Sequence, residues 1–267
     1  MPREVTAFSN ATVKRLRSLR DKKARKEEGL FLAEGLRIIA EARDSGRLPE
    51  IIMFSAEGAR HPLAAEIIAA TEAVGGDAIE TTPDILSKAS GKDNPQMILG
   101  AYGQPETSLS AIDRSSAPLW FVAQALRDPG NIGTILRTGD AVGAGGLILI
   151  DDSADPYSVE AVRASMGAIF TQKVAKASWG EFVTWLRAGS GQLVGTSLKT
   201  THDYLEVEYT QPCFILIGNE QQGLPAAYED QCDTLVKIPM AGRADSLNAA
   251  IAAAVMAFQV RASWRDQ

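Results

Sequence analysis

Three separated polar stretches in the second half of this 267-residue chain hold the side chains best suited to chemistry. RDPGNIGTILRTGDAVGAGG at 127–146 contains Asn131 and Arg137. GNEQQGL at 218–224 contains Gly218, Asn219, Glu220 and Gly223. IPMAGRADSLN at 238–248 contains Ile238, Met240, Ser246, Leu247 and Asn248. An arginine is permanently charged and offers a planar fork of donors to an anionic partner. Glycines in loops let backbone approach a ligand or take a positive φ. Gly218, Gly223 and Gly242 lie in loops that leave two short apolar strands, CFILIG and TLVKIP. That is the build of a small-molecule pocket, and the strand QLVGTS at 192–197, with Thr196, is expected to end at it.

Other chemistries have little to draw on. His61 and His202 are the only histidines and Cys213 and Cys232 the only cysteines, so a metal centre or a histidine-based triad is not expected. The cysteines read as packing residues. The glycine-rich turn after the strand LWFVAQAL also admits dinucleotide binding, with Asp151 and Asp152 closing the next strand. No G-x-G-x-x-G opens the helix, however. A purely structural role for Gly130 to Gly146 remains a further alternative. Asn131 and Ser246 are each placed to cap a helix.

The elements that must position these residues alternate. A basic helix is predicted over 9–28, with Val13, Leu16 and Leu19 inward and Gly29 as its stop. Strands LFLAEG, EIIMFS, DAIE and QMILGAYG then alternate with helices up to 103, which argues for a compact α/β module. QPETSLSAIDRSSAP at 104–118 reads as a linker. From 119 onward, fully apolar strands such as LWFVAQAL and LILI alternate with helices, as in a parallel sheet covered on both faces. The expected domains are therefore 1–103 and 119–267.

The net charge of −6 hides an uneven distribution: residues 1–26 have nine Lys or Arg against two acids, and 104–267 have twelve against eighteen. The basic cluster contains Lys14, Arg15, Arg17, Arg20, Lys22, Lys23, Arg25 and Lys26. It would suit nucleic-acid phosphates, or else form a solvated helix face. No apolar run reaches the ~18 residues of a membrane span and the N-terminal stretch does not read as a secretory signal, so a cytoplasmic protein is expected.

In order and spacing, Asn131 and Arg137, then Gly218, Asn219 and Glu220, then Ser246, Leu247 and Asn248 resemble the three motifs of the SpoU family, the RNA ribose 2′-O-methyltransferases of the SPOUT class. ASMGAIF at 164–170 is similar to a further family stretch. LFLAEGLRIIAEA, with Glu34 and Gly35, resembles the small substrate-binding domain, a ribosomal-protein-like fold, that precedes many of these catalytic domains. Gln221 departs from the family, which has glycine there, as does Gly139, where alanine is usual.

The resemblance implies an α/β fold whose C-terminal parallel-sheet domain is a deep trefoil knot. It implies S-adenosyl-L-methionine as cofactor, held by Gly218, Ile238 and Leu247, with Thr196, Asn219, Gly223 and Met240 as further contacts. Arg137 would position the ribose hydroxyl and phosphate, supported by Asn131, Glu220, Ser246 and Asn248. Lys14, Arg15, Lys22, Lys23, Arg25, Lys26 and Glu34 would meet RNA, with ribosomal RNA the first expectation and transfer RNA the alternative. A homodimer, with Arg137 acting across its interface, is implied as well. A catalytically silent RNA-binding protein on the same fold is the rival.

Overall fold

The computed structural model describes residues 2–219 and 221–264. It packs as two compact units, one formed by residues up to Pro105 together with Asp155–Thr171, the other by Glu106–Ala154 together with residues from Gln172 onward.

The first unit starts with β1 (Arg3–Val5), α1 (Ala11–Ser18), α2 (Lys22–Glu28), β2 (Leu30–Glu34), α3 (Leu36–Asp44) and β3 (Ile51–Ser55). It continues with α4 (Ala56–Ala59), α5 (Pro62–Ala73), β4 (Asp77–Thr81), α6 (Pro83–Ser90) and β5 (Ile98–Gly103). The strands form one mixed sheet in the order β1-β4-β3-β5-β2. β1 was not expected; only Val5 of its three residues is buried, so it shows no alternation to read.

The basic helix expected over 9–28 is two helices. Asp21 Oδ1 accepts from Lys23 N at 2.7 Å and starts a new helix, an N-cap competing with helix continuation. Gly29, at φ 65°, ends it as expected. Val13, Leu16 and Leu19 are buried with Leu30, Met53, Ile79 and Leu86 in one apolar cluster.

The second unit contains β6 (Leu119–Gln124), α7 (Pro129–Val142) and β7 (Gly146–Ile150). The chain then supplies α8 (Val159–Ser165) to the first unit before returning as β8 (Lys173–Ala177) and α9 (Trp179–Arg187). β9 (Gln192–Thr196), β10 (Cys213–Ile217), α10 (Ala226–Glu229), β11 (Thr234–Val236) and α11 (Ala249–Ser263) complete it. Six parallel strands run in the order β11-β9-β10-β6-β7-β8. β6, β7 and β10 are buried almost throughout, the pattern expected of a sheet covered on both faces.

Two stretches pack differently from the linear division at 103 and 119. Residues 155–171 join the first unit: Phe31 lies 5.1 Å from the Tyr157 ring and 5.7 Å from Phe170, and Asp155 meets Arg25. The apolar pattern of α8 states that one face is buried, but not in which sheet's layer. The expected linker is ordered from Glu106 onward. Arg114 donates to Leu186 O at 2.8 Å and lies 4.0 Å over the Trp185 ring.

Candidate active site

The loops after β9, β10 and β11 leave the sheet on the same side, because the three strands are parallel neighbours or next neighbours. The loop after β10 folds back on itself. A Cβ at Gly218 would stand 2.5 Å from the Gly223 carbonyl carbon and 2.6 Å from Leu224 N, so no other residue fits without moving backbone. Gly223, at φ 66°, donates its N–H to Asn219 O at 2.9 Å and closes the turn. Asn219 Oδ1 accepts from Gln221 N at 3.0 Å and Gln222 N at 3.3 Å. The glutamine at 221 is thus accommodated by its backbone, with its side chain exposed.

These loops enclose a cavity of about 310 Å³. Thr196, Gly218, Asn219, Gly223, Ile238, Met240 and Leu247, the residues expected at a cofactor, all line it, and so does Ser246. Its volume and its mix of apolar side chains with a few polar groups suit a small organic ligand. Sequence reasoning missed three charged lining residues: Asp245, inside the third stretch, and Lys199 and Glu229, outside all three stretches. Glu229 accepts from Ser197 Oγ at 2.7 Å and from Lys199 Nζ at 2.9 Å. Burial weakens its acidity, but the hydrogen bonds from Lys199 and Ser197 and the lysine charge outweigh burial and lower its pKa. Neither Lys199 nor Glu229 belongs to a periodic or motif pattern, so no signal in the sequence marked them.

Asn131 and Asn248 meet. Asn248 Nδ2 donates to Asn131 Oδ1 at 2.9 Å, and Asn131 is 7% exposed. Asn248 Oδ1 also accepts from Ala250 N and Ile251 N, capping α11. The capping roles considered for Asn131 and Ser246 therefore fall elsewhere. Asp128 caps α7, accepting from Gly130 N at 2.7 Å, and Asn248 caps α11. Ser246 donates to Asp245 Oδ1 at 3.2 Å instead. Gly139 leaves room on the inner side of α7, where a Cβ would meet Gln172 Oε1 at 2.6 Å.

Arg137 is not brought into the cavity. Six residues along α7 from Asn131 correspond to ~9 Å of rise and about a third of a turn away from it. Its side chain is exposed and has no ion pair or hydrogen bond among the described residues. Glu220 lies outside the described residues.

The residues expected to meet RNA divide into two groups. Lys14, Lys22 and Lys26 are exposed with no ion pair among the described residues, and Lys14 lines an open groove with Arg17 and Arg20. Arg15 is paired with Glu28 at 2.7 Å, and Lys23 stands 3.9 Å from Glu27. Arg25 corrects its expectation. It is 3% exposed, bonded to Asp155 at 2.7 Å and to the carbonyls of Leu19 and Arg20, so its guanidinium is spent inside the fold. Glu34 is a second correction. Its buried carboxylate accepts from Lys92 Nζ and from Gln96 N, pinning the loop before β5 rather than facing solvent.

Residues 118–258 match the model of the SpoU rRNA Methylase family, and residues 10–100 that of the MRM3-like substrate binding domain. The chain is 33% identical to a 23S rRNA (uridine(2479)-2′-O)-methyltransferase of Streptomyces viridochromogenes, over 90% of this chain and 85% of that protein. It is 29% identical to the 23S rRNA (guanosine(2553)-2′-O)-methyltransferase RlmP of Bacillus subtilis, over 97% and 99%. Its structure superposes on the AdoMet-bound rRNA methyltransferase of Sinorhizobium meliloti with a TM-score of 0.90, at 39% identity and 97% coverage of both chains.

Proposed function

Because the chain belongs to the SpoU rRNA methylase family, we propose that it transfers the methyl group of S-adenosyl-L-methionine to a ribose 2′-hydroxyl of ribosomal RNA. The observation that carries this reading is the bond between Asn131 and Asn248. It joins the first polar stretch to the third, and Asn248 sits between Leu247 and Ala249, both on the cavity that Gly218 and the second stretch complete.

The cavity fits the donor. Ile238, Leu247 and the glycine-bearing loop offer apolar and backbone surface to an adenosine, and Lys199, Glu229 and Ser246 offer polar groups to a charged tail. When bound, the donor supplies a methyl group on a sulfonium, which is electrophilic enough that the protein's task is alignment and exclusion of water. Arg137 is assigned to the acceptor. A guanidinium with a pKa of ~12.5 or above is a poor base. It is a strong fork for a phosphate and stabilises charge developing on the neighbouring oxygen. Asn131 and Asn248 hold α7 against α11 and so orient the helix that bears Arg137; Ser246 serves the cavity side, and Glu220 is assigned its supporting role on family precedent.

We take the active assembly to be a homodimer in which Arg137 serves the partner's donor cavity. Two observations support this. Arg137 is exposed and has no ion pair or hydrogen bond among the described residues, and α11, which packs on α7, exposes Ile251 (53%) and Phe258 (58%) one heptad apart. The trefoil knot is proposed on family precedent, with support from the late strand β10 lying between β9 and β6. Lys14, Lys22 and Lys26, with Arg17 and Arg20, are assigned to RNA phosphates. Among the described residues no helix is long and apolar enough to cross a membrane, and a cytoplasmic location is assigned from the ribosomal-RNA substrate proposed above.

The test is transfer of labelled methyl from S-adenosylmethionine to ribosomal and to transfer RNA, with the 2′-O-methyl positions mapped. Ribosomal RNA is labelled by the parent protein. Arg137→Ala abolishes labelling, by ~10²-fold or more, and leaves donor binding nearly intact. Loss of donor binding as well would refute the role given to Arg137, and labelling of transfer RNA alone would refute the substrate.

A further inference from the structure

The loop that walls the cavity is tied down at both ends, and the two ties fall on neighbouring strand tips. At one end Asn219 Nδ2 donates to Ala125 O at 2.9 Å, just past β6. At the other Tyr228 Oη donates to Asp151 Oδ2 at 2.8 Å, just past β7. β6 and β7 are paired in the sheet.

Both receiving residues are in the left-handed region, Ala125 at φ 49° and Asp151 at φ 59°; among the described residues only Met166 joins them without being glycine. Such a conformation is unfavourable for a residue with a Cβ and persists where surrounding bonds over-determine it. Here they do. Ala125 N donates to Ile150 O at 3.1 Å, and Asp151 N to Ala177 O at 3.0 Å.

The Tyr228 ring also lies flat on Trp179, with centroids 4.0 Å apart and planes 5° from parallel. Trp179 N donates to Asp151 Oδ1 at 3.2 Å, so a single carboxylate receives both partners of the stack. Burial, then the bond to Asp151, pushes the Tyr228 phenol up to about 12, which keeps its donor proton in place through neutral pH. The residue after Tyr228 is Glu229, the carboxylate on the cavity.

We propose that Tyr228 and Asn219 are positioning residues for the methyl donor, clamping the loop between them to the tips of β6 and β7 so that the cavity wall stands before the donor arrives. The inference rests on the cavity being the S-adenosylmethionine site. The intervening EQQGLPAA opens with three long polar side chains and a glycine, a composition whose ordering costs binding free energy if deferred until the ligand enters.

Tyr228→Phe keeps the stack and removes only the hydroxyl. By calorimetry, S-adenosylmethionine should bind it about tenfold more weakly, as expected for a lost hydrogen bond to a charged group. KM for the donor should rise in parallel, with kcat and KM for RNA unchanged. In the ligand-free protein, amide exchange across 219–228 should quicken. Asp151→Gly removes the carboxylate at a backbone that glycine adopts readily, and on that background Tyr228→Phe should have no further effect. Unchanged donor affinity in Tyr228→Phe, or equal losses on both backgrounds, overturns the clamp while leaving the cavity assignment standing. A parent protein that takes up no S-adenosylmethionine overturns that assignment, and this inference with it.

Discussion

Asn131 and Asn248, 117 positions apart, share a hydrogen bond of 2.9 Å in which one amide caps α11 and reaches into α7 at once. The pair fixes the spatial relation between the helix that bears Arg137 and the loop that bears Leu247. Asn248→Ala would remove the cap and leave Asn131 with one bond fewer, whereas neither helix alone holds the other in this register.

Gly218 is the position where the cavity loop tolerates least. Gly218→Ala places a Cβ 2.5 Å from backbone of the same loop, so the wall must shift. We expect a stability loss of ~1–3 kcal/mol, the usual cost of overpacking, and donor affinity reduced at least tenfold. Thermal denaturation and calorimetry read the two separately.

The N-terminal basic residues should separate into two classes. Replacing Lys14, Arg17 and Arg20 with Gln should lower the salt dependence of RNA binding by ~2–3 in slope, about 0.9 per phosphate contact, with little change in stability. Arg25→Gln should leave that slope alone and destabilise the first unit by ~3–5 kcal/mol, the cost of orphaning one member of a buried pair. Filter binding across a salt series and chemical denaturation distinguish the classes; a slope change in Arg25→Gln would return it to the RNA surface.

Ile251→Glu together with Phe258→Glu puts charge on the exposed apolar stripe of α11. We expect a monomer by analytical ultracentrifugation, with methyl transfer lost and donor binding reduced far less, since the cavity residues all belong to one chain. A variant that stays dimeric would move the interface elsewhere.

The bonds from Lys199 and Ser197 lower the Glu229 pKa below its ordinary value of 4.5. A carboxylate depressed in the folded state contributes stability that is present above the unfolded pKa and is lost as pH falls through the folded one. Melting temperatures measured downward from neutral pH should therefore fall less steeply below about 4.5 for Glu229→Gln than for the parent protein. The effect should be small, because Lys199 is 67% exposed and solvent screens the pair. Parallel curves would show that Glu229 does not feel its partners.

Much of the fold was legible in local pattern. Runs such as LWFVAQ and CFILI could only be strands covered on both faces, and Gly29 and Gly143 end helices where a positive φ is needed. The residues that line the cavity were marked by loop glycines after apolar strands. Lys199, in a loop, and Glu229, at the end of α10, were not, because a charged residue outside any apolar pattern looks the same whether it faces solvent or a pocket. The sequence also could not tell that Asp21 would break the basic helix in two, since capping competes with propagation by energies of only ~1 kcal/mol.

What the sequence determined by itself was the alternation of strands and helices, the turn positions and the types of side chain available for chemistry, because these follow from periodicity and backbone preference within a few residues. Tertiary structure alone decided which charges were free. Arg25 and Lys26 are adjacent and alike in sequence, yet one is sealed against Asp155 and the other is open to solvent. It likewise decided that α8 covers the first unit's sheet and that Ala125 and Asp151 receive the two ends of the cavity loop. Each of these depends on partners 77 or more residues away, and no local rule of helix or strand formation constrains such distances.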